Sequence, residues 1–137
     1  MARSQSIDAF AKLEVTVIEA LGRLGIAQNR DCLGRRVEAL GKAKASPSLP
    51  KADLPKMADW AERTHPFLAQ RASLVHAEME LGQFGGHWRA VFANAIDAAT
   101  GMPTVMMFTV ADLNRLQRSV HHLTVELSKL VKGVPVP

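Results

Sequence analysis

From Thr109 to Lys132 the apolar residues recur every three or four positions, at Leu113, Leu116, Val120, Leu123, Leu127 and Leu130. That spacing follows the turn of an α-helix and does not suit the two-residue repeat of a strand. The segment opens on Thr109-Val110-Ala111-Asp112, a [ST]-x-x-[DE] pattern whose hydroxyl and carboxylate can satisfy first-turn amides that have no partner in the helix. Gly133 and Pro135 stop it. A helix with so long an apolar stripe must lay that stripe against other elements, and the rest of the chain supplies them.

Ser6 is read as the N-cap of a first helix running to about Leu24. At about 100° per residue, Ile7, Phe10, Leu13, Val17, Ile18, Leu21 and Leu24 form its core stripe, and Gly22 and Gly25 suit its end. A second helix is expected from Arg30 to Lys44, directing Leu33, Val37 and Leu40 inward. The stretch from Ser46 to Pro55, with Pro47, Pro50 and Pro55, reads as a loop. Asp53 then reads as an N-cap, with Pro55 allowed in the first turn. The third helix is expected from Leu54 to Leu81, with Met57, Trp60, Thr64, Phe67, Leu68, Leu74 and Val75 on one face and a kink near Arg63 to His65 caused by Pro66. Gly82 to His87 ends it. Trp88 to Ile96 reads as a strand or a short helix, Asp97 to Pro103 as a turn, and Thr104 to Thr109 as a strand. The expected fold is therefore mainly α: an up-down bundle of four main helices with a β-hairpin insert between the third and the last. A short helix with an extended arm is the alternative form of the insert.

The 137 residues suit one domain spanning 1–137, and 47% apolar content is enough for a core. No apolar run approaches the roughly 20 residues that span a bilayer, so no membrane partner is expected. Met1 to Gln5 lacks the apolar centre of a signal peptide, and the lone Cys32 has no internal disulfide partner. A cytoplasmic location is expected on both counts. Net charge is +4, and Arg23, Arg30, Arg35, Arg36, Lys42 and Lys44 cluster without interleaved aromatics. That pattern reads as a solvated helix face before it reads as a nucleic-acid surface.

Two charges interrupt the apolar stripes. Glu14 lies inside the stripe of the first helix, and Arg71 lies at the middle of the face of the third, with Glu78 seven residues further on. Carboxylates on core faces need partners, and opposite charges on facing helices point to an ion pair between Glu14 and Arg71, with Glu78 as a second supporting carboxylate.

Arg71-Ala72-Ser73-Leu74-Val75-His76 in the third helix, an acidic residue in the long first helix, the proline-rich exit of the second and the Thr109-Val-Ala-Asp112-Leu113 opening of the last together resemble the HEPN superfamily (higher eukaryotes and prokaryotes nucleotide-binding domains). The resemblance covers most of the chain, and Arg-x4-His is its one specific motif. It implies a metal-independent endoribonuclease or RNA-binding domain of toxin or defence type, composite across a homodimer, with a cognate protein partner in toxin–antitoxin members and no cofactor. Carried onto this chain, Arg71 would stabilise the phosphoryl transition state and His76 would serve as acid or base on the ribose 2′-hydroxyl or the leaving oxygen. On one intact helix the two point about 140° apart, so the helix must end near His76 or a second subunit must complete the site. Active members commonly carry a polar residue after the arginine, whereas this chain has Ala72. The alternative is a catalytically inactive helical interaction module in which Arg71 and His76 are structural.

A metal site is the remote third reading. His76 and Glu80 would sit four apart on a helix, and a third ligand would have to come from His87, His121 or His122. No metal is expected. The sequence has no Gly-x-Ser-x-Gly, no phosphate loop and no Cys/His arrangement for nucleophilic catalysis. Met102, Met106 and Met107 around one turn read as core or dimer packing.

Overall fold

The computed structural model describes residues 2–27, 32–76, 78–84, 87–96 and 103–137. Among these residues four α-helices carry the chain: α1 (Ala2–Arg23), α2 (Leu33–Gly41), α3 (Leu54–His76) and α4 (Val110–Leu130). Three strands, β1 (Glu78–Phe84), β2 (His87–Ile96) and β3 (Pro103–Thr109), lie between α3 and α4. The helical bundle follows the sequence expectation, and its insert has one strand more than a hairpin.

α1 starts before Ser6. That residue is not a cap but a buried helix position whose hydroxyl donates to the Leu113 carbonyl of α4 at 3.1 Å. The helix closes on a Schellman motif: Gly25 takes φ 69°, Ile26 N–H donates to Leu21 and Gly25 N–H to Gly22. Phe10, Leu13, Val17 and Leu21 are buried as the stripe requires. Ile18, at the stripe's edge, is 36% exposed. α2 is shorter than expected and buries Leu33, Val37 and Leu40. Its last residue, Gly41, comes so near α3 that a β-carbon there would lie 2.9 Å from that of Ala61.

The loop before α3 contributes to the core. Ser46 and Leu49 form an isolated bridge, Leu49 is wholly buried, and the Ser48 carbonyl accepts from Lys132 N–H beyond α4. A short 3-10 turn over Lys51–Asp53 leads into α3 where a simple Asp53 cap was expected. α3 continues through Pro66. Trp60, buried at its centre, donates its indole N–H to the Leu123 carbonyl at 2.9 Å, and Arg63 grips Glu126 with both terminal nitrogens while its Nε donates to Asp59. These contacts tie α3 to α4. Thr64, Thr124 and Ser128 lie on buried faces and satisfy their hydroxyls with carbonyls four residues back, at Trp60, Val120 and Thr124.

α3 ends at His76, about one and a half turns earlier than its sequence pattern predicts, and Glu78 to Leu81 belong to β1 instead. Strand order is β1-β2-β3, antiparallel throughout, pairing Glu80 with Val91 and Val91 with Met107. Trp88 to Ile96 is therefore strand, as is most of the segment read as a terminating loop at Gly82 to His87. The expected turn from Asp97 to Pro103 lies, but for Pro103 at the start of β3, outside the described residues. Phe108 of β3 is buried in the common core.

α1 and α4 lie side by side in the same direction, with Ser6 at Leu113 and Arg23 beside Gly133. Strict up-down alternation is thus broken at the insert, whose odd number of strands returns the chain before α4 begins. α4 opens with the expected capping box: Asp112 N–H donates to the Thr109 hydroxyl and Thr109 N–H to the Asp112 carboxylate. Among the described residues no helix is long and apolar enough to cross a membrane.

Candidate functional site

Glu14 sits at the border of the α1 stripe, where a side chain can reach toward α2 and α3 without entering the core. Arg71 reaches it from the middle of the α3 face, and the Arg71 guanidinium donates to Glu14 Oε2 at 3.2 Å. A second arginine takes the other oxygen: Arg36 Nη1 of α2 donates to Glu14 Oε1 at 3.4 Å. One carboxylate therefore joins three helices. The side chains of Arg36, Arg71 and Glu14 are 16%, 27% and 32% exposed. This is a half-buried cluster, in which removing one charge costs more than at an open surface.

Among the described residues the cluster carries two cations on one anion. A guanidinium has five N–H donors, and Glu14 occupies one from each arginine. Arg36 Nε is buried and has no hydrogen-bond partner among the described residues. The geometry can do two things chemically: hold the three helices together, or present surplus donors to an anion.

Arg36 was placed by sequence among the solvated basic residues. The signal that could have separated it from Arg35 is phase. Arg36 falls about 40° from Leu40 around α2, at the edge of the buried stripe. Arg35 is exposed, as are Lys42 and Lys44, and Arg30 lies outside the described residues.

His76 is the last residue of α3. The helix thus runs from Arg71 through His76 and keeps the two about 140° apart around its axis, while the position of the imidazole lies outside the described side chains. Glu78 does not share the Arg71 face. It lies on β1, opposite Ala93, because the helix on which that face was counted has stopped. The same ending removes the His76–Glu80 helix spacing behind the metal reading, since Glu80 is on β1 too. Among the described residues no three His, Cys, Asp or Glu side chains gather as metal ligands. His121, His122 and His65 are exposed helix residues, and Cys32 is a free, exposed thiol before α2.

Comparison with protein-family models, with curated proteins and with solved structures returns no match.

Proposed function

We propose that this chain is a HEPN-like helical interaction module in which Arg71 is a folding residue. The observation behind this reading is the bridge from Arg71 to Glu14, shared with Arg36. A guanidinium that bridges to a half-buried carboxylate between three helices is costly to divert to a transient phosphoryl charge. Ala72, in place of the polar residue common in active relatives of the family it resembles, agrees with this reading.

A second reading keeps the ribonuclease. It is favoured by the surplus positive charge that the Arg36–Glu14–Arg71 cluster carries among the described residues; because α3 runs from Arg71 through His76, which keeps the two about 140° apart, a second subunit would complete the site. On that reading the chain is a metal-independent endoribonuclease acting as a homodimer, Arg71 meets the scissile phosphate, and His76 moves the proton.

Wild type, Arg71→Ala and His76→Ala, incubated with RNA in EDTA and melted in parallel, separate the two. The module reading expects no cleavage by any of the three, a lowered melting temperature for Arg71→Ala and little change for His76→Ala. Cleavage by wild type that His76→Ala abolishes without loss of stability would overturn it in favour of the nuclease.

A further inference from the structure

The outer face of α1 carries charges whose order is self-complementary. Asp8, Lys12, Glu19 and Arg23 are spaced so that 8 and 23, and likewise 12 and 19, lie equally far from the midpoint between Val15 and Thr16. Each such pair is of opposite sign. At about 100° per residue these four and Val15 fall within a sector of roughly 80°, turned away from the stripe that buries Leu13, Val17 and Leu21.

This face is also apolar at its centre. Val15 is 60% exposed, and on the C-terminal tail alongside it Val136 is 63% exposed. A groove of about 350 Å³ separates the helix from the tail, lined by Ala11, Val15, Val134, Pro135 and Pro137 between Lys12 and Glu19. Asp8–Lys12 and Glu19–Arg23 have the i,i+4 spacing of intrahelical ion pairs. Among the described residues, however, none of these four side chains closes an ion pair.

We propose that this face binds a second copy of the chain, with the two α1 helices packed antiparallel about a two-fold axis beside Val15. In such an isologous contact residue i meets residue j and j meets i, so the surface must complement itself. The sign-reversed order does this. Lys12 faces the partner's Glu19, Asp8 faces the partner's Arg23, and each contact occurs twice. The two copies of Val15 meet within about 1.5 Å along the helix axes, given the rise per residue. A parallel arrangement in register would set each charge against its own kind, which disfavours it. Glu14 lies about 100° around α1 from Val15, so the Arg36–Glu14–Arg71 cluster stays outside this contact. The inference rests on neither role offered for Arg71 and His76.

The test is sedimentation equilibrium from low micromolar to near-millimolar concentration, with circular dichroism to verify that each variant keeps its helices. Wild type is expected to dimerise. Val15→Glu places a charge at the axis and is expected to be monomeric, while Lys12→Glu and Glu19→Lys each weaken the dimer by on the order of tenfold or more. An equimolar mixture of Lys12→Glu and Glu19→Lys is expected to restore association, because each altered residue then faces an opposite charge on the other chain. A structural defect in α1 could not be repaired by mixing. A wild type that is monomeric throughout, a dimer indifferent to Val15→Glu, or a mixture no better than its components would each overturn the proposal.

Discussion

Replacing Glu14 by Gln removes one charge and leaves two arginines, Arg36 and Arg71, facing each other across a half-buried gap. Breaking a fully buried ion pair costs about 3–5 kcal/mol, and losing an exposed one costs about 0–1 kcal/mol. The cluster's side chains are 16–32% exposed, so it lies between these limits. Gln can still accept one hydrogen bond, which recovers part of the loss, whereas Arg36 Nε already lacks a partner among the described residues and adds nothing to offset it. A cost of about 2 kcal/mol follows, equivalent to a fall of roughly 6–10 °C in melting temperature for a domain of this size. Thermal unfolding followed by circular dichroism measures it. The paired control is Glu38→Gln, which breaks the exposed Lys42–Glu38 bridge of 3.1 Å and should cost no more than about 0.5 kcal/mol. High salt should narrow the Glu14→Gln deficit only in part, because the cluster is shielded from mobile ions. The double variant Glu14→Gln/Arg71→Ala should cost less than the sum of its parts, since the two side chains share one interaction. A Glu14→Gln melt within about 1 °C of wild type, or indistinguishable from the control, would refute the view that this carboxylate holds three helices together.

Gly41→Ala should destabilise the protein by about 1–3 kcal/mol despite alanine's higher helix propensity, because the new β-carbon would stand 2.9 Å from that of Ala61; urea titration checks this, and an unchanged or raised midpoint would refute it. Asp112→Asn should cost about 0.3–1 kcal/mol at neutral pH by removing a negative charge from the first turn and weakening the capping box. The Thr109 backbone and hydroxyl hydrogen bonds, with Arg115 nearby, hold the Asp112 carboxyl below its ordinary value of 3.8. Its contribution is therefore full above that value and fades as pH falls through the lower folded value. The gap between wild type and Asp112→Asn should close in that acid range, and a gap that widens there would contradict the assignment.

The long helices were legible because they are written in local periodicity. The α4 stripe and its Thr109–Asp112 cap needed no information from elsewhere in the chain, and Leu33, Val37 and Leu40 of α2 were equally plain. The end of α3 was not legible. Leu74 and Val75 continue the helical phase, and nothing in Ala77-Glu78-Met79-Glu80 forbids another turn. What stops the helix is pairing with β2, whose residues lie about ten positions further along, and short-range pattern cannot contain that competition. Leu49 shows the same limit: a residue in a proline-rich loop is buried because the tail after α4 closes over it through Lys132.

The candidate site divides along the same line. Two opposite charges in two apolar stripes announced that Glu14 would need Arg71, because a carboxylate on a core face cannot be left without a partner. Arg36 belongs to the cluster for a different reason. α2 docks close on α3 at Gly41, and that docking carries the guanidinium to the second oxygen of Glu14. By itself the sequence determined a helical chain, its buried stripes and the need for one interhelical ion pair, since each follows from residues within a few turns of one another. The tertiary structure alone decided that the pair is a three-helix bridge, that His76 stands at a helix end and that Glu78 belongs to a strand, because those outcomes depend on contacts between segments far apart in the chain.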